Sequence, residues 1–308
     1  MLIYIIAAIL VWLALVGLPD RRRRQPLPPG PPGLPLVGNL GERPGKFPWL
    51  RYTNLGQKYG EVVYFQILGQ PIVVLNSKKA ITELMEKRSL NYADRPALRM
   101  NTDLAGWHWN FAHMRYNEVW RKHRKTFHRD FNANAVERYY PTQMKATHDL
   151  LRNLLNSPQK FTDHVKTHAV TVILRVVYGY DTQEETDYYV ALAGDAMEGL
   201  SQTTNAGSYL VDFIPILKYV PAWMPGASFK RLARKWRAAS WALRDKPFAR
   251  LKAAMANGSA PPSFARDQLE KADGSDSEME NVIRNCAGIA YFGPVLRSLP
   301  SRTCLTRR

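Results

Sequence analysis

The sequence predicts a mainly α-helical chain with one small β-sheet. Three observations carry that expectation. From Ser77 onward, apolar residues recur at helical spacing in one segment after another. A single stretch, residues 61–76, reads as two arms rich in Val, Ile, Tyr and Phe around a Gly-containing turn. No internal repeat points to a solenoid or a propeller.

The elements follow in chain order. Residues 2–18, LIYIIAAILVWLALVGL, carry no charge. At ~1.5 Å per residue this segment is roughly 25 Å long as a helix, which is enough to cross a bilayer with the help of Pro19 and the flanks. Asp20 and Arg21–Arg24 follow it, and a positive flank on that side leaves the body in the cytosol. The basic start and small-residue cleavage site of a secretory signal are missing. Residues 1–19 are therefore expected to be a retained transmembrane signal anchor. Residues 20–40 are a basic, Pro-rich hinge. Its prolines forbid helix and favour polyproline II, while Leu34, Leu36 and Val37 are expected to dock it on the body.

The body spans 41–293. A short helix is expected over 47–59, then a hairpin whose two-residue turn is Gly69-Gln70. Ser77 caps a helix with Ile81, Leu84 and Met85 on one face. Residues 91–115 are irregular and aromatic-rich. Helices are expected over 116–129, over 135–156 with Leu150, Leu151, Leu154 and Leu155 as an apolar stripe, over 162–178 and over 186–200. Residues 209–225, YLVDFIPILKYVPAWMP, are apolar and broken by prolines. A long basic helix over 226–256 is interrupted near Pro247. Residues 257–277 form a polar linker, and a last helix starts near Glu278 and is broken by Pro294. Residues 294–308 are read as an aberrant, disordered tail with no apolar period and no acid.

The net charge is +17. Residues 20–24 carry +3 of it and the last fifteen residues +4, so most of the surplus lies on the body. Such a surface suits an anionic membrane or an acidic protein partner. Nucleic acid is not the expected partner, because no zinc-finger spacing, RRM signature or compact basic helix is present. Two cysteines, Cys286 and Cys304, give no disulfide framework and read as reduced thiols.

The chemistry-bearing segment is FAHMRYNEVWRKHRKTFH, residues 111–128. Trp120 and Arg124 are four apart, hence on one helix face. An indole N–H beside a guanidinium is a donor pair suited to a carboxylate. W-x-x-x-R inside R-x-x-x-x-W-R-x-H-R-K resembles the C-helix of the cytochrome P450 family. The preceding arginine run, PPGPPGLPLVGN, the hairpin, YADRP at 92–96 and the VDFIPILKYVPAWMPG segment at 211–226 occur in the family's order. The resemblance covers residues 1–293 and is of the fungal microsomal type.

The resemblance implies the amino-terminal portion of the P450 fold, preceded by a transmembrane helix and ending within the I-helix. It implies haem as cofactor, with Trp120 and Arg124 holding a haem propionate. It also implies monooxygenase chemistry: insertion of one oxygen atom from O2 into an apolar small-molecule substrate, with NADPH-derived electrons from a partner reductase. Arg121, Lys122 and Lys125 are candidates to meet that reductase. The implied location is the endoplasmic reticulum membrane, single-pass, with the body facing the cytosol. No catalytic or metal-ligating residue is assigned. The family's F-x-x-G-x-R-x-C-x-G loop, its E-x-x-R pair and its A/G-G-x-D/E-T-T stretch are absent from these residues. Cys304, in PSRTCLTRR, lacks the loop's glycines, and Cys286 reads as a small buried residue on a helix. ENVIRNCAGIAYFG, 280–293, resembles the start of the I-helix, and the pattern then stops, as a frameshift, a retained intron or a wrong gene model would make it. The chain is thus expected to be inactive by itself. The alternative reading is a non-catalytic, membrane-tethered helical fragment. His164 and His168 have an i,i+4 spacing that can bind metal, but without the H-E-x-x-H glutamate they read as ordinary histidines.

Overall fold

The computed structural model describes residues 26–35, 37–42, 47–180, 186–204, 208–272 and 276–298. The expected anchor, residues 1–19, lies outside the described residues. None of the described helices is long and apolar enough to cross a membrane. The chain divides into two compact units, residues 1–94 with 205–217 and residues 95–204 with 218–308.

The first unit contains the sheet. Helix α1, Pro48–Tyr59, has proline in its first turn, where a missing N–H costs nothing. Strands β1, Val62–Ile67, and β2, Gln70–Leu75, pair antiparallel, with Phe65 opposite Ile72. Val63, Phe65 and Ile67 point to one face and are buried, packed by Tyr52, Leu55, Tyr59, Ile72, Val74 and Phe213. The register places Ile67 opposite Gln70, so the turn is Leu68-Gly69 rather than Gly69-Gln70. Both turn residues have positive φ, 46° and 83°, as a type I′ connection requires.

The Pro-rich stretch docks on β1 through its backbone. Tyr64 N–H donates to Pro29 O at 2.8 Å and Asn39 N–H to Gln66 O at 2.6 Å. The Asn39 side chain accepts from Gln66 N–H at 3.1 Å and donates to Pro31 O. Leu34 is 69% exposed, and Leu36 lies outside the described residues. The edge of β1 needed backbone partners more than side-chain cover. Ser77 caps α2, Lys78–Ile81, by accepting from Ala80 N–H. A wider helical turn over Thr82–Lys87 and α3, Ser89–Tyr92, continue it. Ala80 is the buried residue of α2. Leu210–Phe213 forms the short α8.

The second unit is helical: α4 Glu118–Asp130, α5 Tyr140–Asn156, α6 Phe161–Tyr178, α7 Thr186–Thr203, α9 Ser228–Ala256, α10 Phe264–Lys271 and α11 Ser277–Ser298. Its core is built from Trp107, Trp109, Leu243, Leu251, Ile283, Tyr291 and Phe292. Four expectations are corrected here. Helix α9 runs unbroken through Pro247: Leu243, Phe248 and Leu251, all buried, hold both sides of the one lost backbone bond in register. Helix α11 likewise continues past Pro294 to Ser298, extending a segment packed by Ala287, Ala290, Tyr291 and Phe292. The polar linker contains α10, capped by Ser263 and burying Phe264, Ala265 and Gln268. The leucines of α5 do not form a buried stripe: Leu151 and Leu155 are 52% and 83% exposed, and Ala146 is the residue that packs.

Candidate functional site

Helix α4 carries the site. The Asn117 side chain accepts from Trp120 N–H at 2.9 Å and sets where the helix starts. Glu118 in the first turn and His128 and Arg129 in the last complement the helix dipole. His123, Thr126 and Asp130 are buried at i, i+3 and i+7 and form the inner face. Trp120, Arg121, Arg124, Lys125 and His128 lie on the outer face and line a shallow, open depression of about 350 Å³.

The depression is cationic, with no acid in its lining. Trp120 packs on Tyr116 with ring centroids 5.1 Å apart. The Arg121 guanidinium lies 5.0 Å from the Tyr116 ring and pairs with Glu118. Lys122 pairs with Glu278 at 2.7 Å. Among the described residues, Arg124 and Lys125 have no hydrogen-bond or ion-pair partner. A guanidinium and an indole N–H left free on one face can take a carboxylate in a charge-assisted arrangement.

The described residues therefore fit the propionate arm of haem. They do not supply a thiolate for the iron. Cys286, the described cysteine, is fully buried, and its Sγ donates to the His123 carbonyl at 3.4 Å. Burial pushes its thiol up to about 12, far from the thiolate that ligation needs. Cys304 lies outside the described residues. His164 Nε2 sits 2.9 Å from the carbonyl and the hydroxyl of Ser157, and His168 Nδ1 sits 3.1 Å from the Ala146 carbonyl, so both histidines have local partners.

The i,i+4 spacing brought Trp120 and Arg124 to one face as expected. His128 was missed as a lining residue, although a further step of four from Arg124 was legible. The seam behind the site was missed as well. His123 meets Asn285, 162 residues away, at 3.1 Å, and no local pattern marks such a pair.

The chain is 35% identical over 292 residues to tryptamine 4-monooxygenase of Psilocybe cyanescens, covering 93% of this chain and 57% of that protein. It is 35% identical over 301 residues to cytochrome P450 monooxygenase COX1 of Coprinopsis cinerea, covering 94% and 57%. It is 37% identical over 287 residues to cytochrome P450 monooxygenase 208 of Postia placenta, covering 92% and 56%. The chain thus spans somewhat more than half the length of the curated relatives it matches. The profile described as Cytochrome P450 matches residues 28–284, a stretch that includes the whole of α4 and its cationic face. On that match the chain belongs to the cytochrome P450 family, which works with haem and NADPH-derived electrons.

Proposed function

We propose that this chain supplies the propionate-binding part of a haem-dependent monooxygenase at the endoplasmic reticulum membrane. The observation that carries the reading is the free Trp120–Arg124 face of α4. Haem, when bound, would supply the oxygen activation by which one atom of O2 enters an apolar organic substrate.

The chain's own residues would do the rest. Trp120 and Arg124 bind and orient a propionate. Lys125 and Arg121 offer positive charge to an acidic, NADPH-dependent reductase. Segments 91–115 and 209–225 shape substrate access. Residues 1–19 anchor the chain once, with its body in the cytosol. Tyr219 and Trp223, 73% and 78% exposed, suit the interfacial zone of that membrane. The exposed cations Arg231, Arg234 and Lys235, at i, i+3 and i+4 of α9, suit its anionic headgroups.

The test is hemin titration of the full chain followed by a reduced, CO-treated difference spectrum. Saturable uptake that weakens in Arg124→Ala supports the propionate site, and no uptake at all refutes it. Protease protection of microsome-inserted chain checks the topology.

A second reading has its own observation. The 308 residues contain no F-x-x-G-x-R-x-C-x-G loop, and Cys286 is buried and protonated. By themselves these residues would then form a non-catalytic, membrane-tethered helical fragment. A thiolate-type Soret band in the CO spectrum would rule this reading out.

A further inference from the structure

Behind the Trp120–Arg124 face, α4 is fastened to α11 by three consecutive contacts. Lys122 pairs with Glu278 at the surface. His123, 3% exposed, makes the central contact. Its Nδ1 lies 2.7 Å from the Val119 carbonyl and its Nε2 lies 3.1 Å from Asn285 Nδ2. The Cys286 Sγ then donates to the His123 carbonyl.

The partners dictate the tautomer. The Val119 carbonyl only accepts, so Nδ1 carries the hydrogen. Nε2 is then bare and accepts from the Asn285 amide N–H. The contact requires a neutral imidazole. A proton on Nε2 would set two donors against each other. The pair could recover only by turning the Asn285 amide and presenting Oδ1, which is now buried without a partner.

We infer that His123 is a positioning residue: clamped between the Val119 carbonyl and the Asn285 carboxamide, it fixes the rotation of α4 against α11, and with it the direction in which Trp120 and Arg124 present their donors. His123 lies three residues after Trp120 and one before Arg124. A turn of α4 about its axis would therefore move all three together. The charged groups facing the imidazole are Lys122 from its own helix and Glu278 from α11, and these neutralise each other at 2.7 Å. Cys286 faces it from α11, and the Phe111 ring lies 6.2 Å away. Burial, the largest influence on the imidazole, holds it below its usual range despite the Val119 bond.

The inference rests on the propionate reading only for what the face binds, and the experiment separates the two. The full chain is labelled with 15N-histidine, and the His123 signals are assigned by their loss in His123→Gln. The expected result is a proton on Nδ1 and a bare Nε2 at pH 7.5, with a titration midpoint below that of a free histidine. Asn285→Asp sets a carboxylate opposite Nε2 and is expected to raise proton affinity about tenfold, one pH unit. Asn285→Leu is not. Amide exchange of residues 121–128, corrected for its intrinsic pH dependence, is expected to quicken severalfold as His123 titrates. It should do so at neutral pH in His123→Leu, with exchange of 161–178 unchanged.

Hemin affinity is expected to fall at least threefold in His123→Leu and to recover in part in His123→Gln. The inference is overturned by a proton on Nε2 at pH 7.5, by a midpoint that Asn285→Asp does not move, or by unchanged exchange in His123→Leu. If the unmodified chain takes up no hemin, the propionate reading fails, and the tautomer and exchange results still decide the clamp.

Discussion

Asp130 and Arg138 meet at 2.5 Å beyond the end of α4, the carboxylate 4% exposed and the guanidinium 42%. Gln268 of α10 donates to the second carboxylate oxygen, and the Tyr139 hydroxyl donates to the Asp130 carbonyl at 3.3 Å. One buried carboxylate thus joins α4, the turn after it and α10. Removing it leaves the buried Gln268 amide without its acceptor, while the half-exposed Arg138 keeps the Asp130 carbonyl and the Tyr139 hydroxyl. Asp130→Ala is expected to lower the unfolding free energy by about 1–3 kcal/mol. Asp130→Asn should cost less, because the amide keeps one acceptor. Urea denaturation of the full chain measures both.

Arg124 is the opposite case. It is exposed and lacks a partner among the described residues, so Arg124→Ala should change stability by less than about 0.5 kcal/mol. Its loss should show in ligand binding instead. A charge-assisted bond is worth about 1.5–3 kcal/mol, so hemin affinity should fall by roughly tenfold or more. Arg124→Lys should restore only part, since an ammonium lacks the planar fork. Titration by Soret absorbance and a parallel urea curve separate the two effects.

The hairpin turn offers a cleaner backbone test. Leu68 and Gly69 both sit at positive φ, 46° and 83°. A side chain there is strained, by roughly 1 kcal/mol, and Leu68 already bears that strain. Gly69→Ala should therefore destabilise by about 1 kcal/mol, while Leu68→Asn should stabilise by several tenths to 1 kcal/mol. Thermal unfolding midpoints moving in opposite directions would establish both the turn type and the register.

Acid should loosen the second unit through its buried histidines. Burial, reinforced by Arg95, lowers His113 to about 4, and its Nδ1 is buried without a partner. The folded value lies below the unfolded one, near 6.5. Neutral His113 therefore adds stability above pH 6.5, and this is lost as pH falls from there toward 4. The contribution over that window is on the order of 3 kcal/mol. His123 is shifted in the same direction. The unfolding free energy should be flat between about pH 7 and 8 and fall below 6.5, and His113→Gln should make that fall shallower.

What the sequence disclosed follows the range of each signal. The Trp120–Arg124 face, the Ser77 cap and the hairpin arms depend on neighbours within a few residues, and all three were legible. The turn was displaced by one residue because Gly69 accepts either position and only strand register decides. Pro247 looked like a helix break because the ring costs a local bond, while the buried Leu243, Phe248 and Leu251 that outweigh it are a tertiary fact. Helix α10 has only eight residues, with Phe264 and Ala265 in its first turn and a mostly polar stretch after them, too little for a period to emerge. His123 and Asn285 are far apart in the chain, so their contact is written only in the packing of α4 on α11.

Two glycines of α7 turn that lesson into a paired test. A Cβ on Gly199 would lie 2.8 Å from the Cβ and Cγ of Trp236 on α9, whereas a Cβ on Gly194 would meet nothing within 4 Å. Either change to alanine gains up to ~1 kcal/mol of helix propensity. Trp236 is 5% exposed and cannot swing aside, so Gly199→Ala also meets an overpacking cost of about 1–3 kcal/mol. Gly194→Ala is therefore expected to raise the unfolding midpoint and Gly199→Ala to lower it. Since propensity is common to both, a difference of about 2 kcal/mol between them in urea denaturation measures the α7–α9 contact alone, and equal midpoints would mean that these helices do not pack at Gly199.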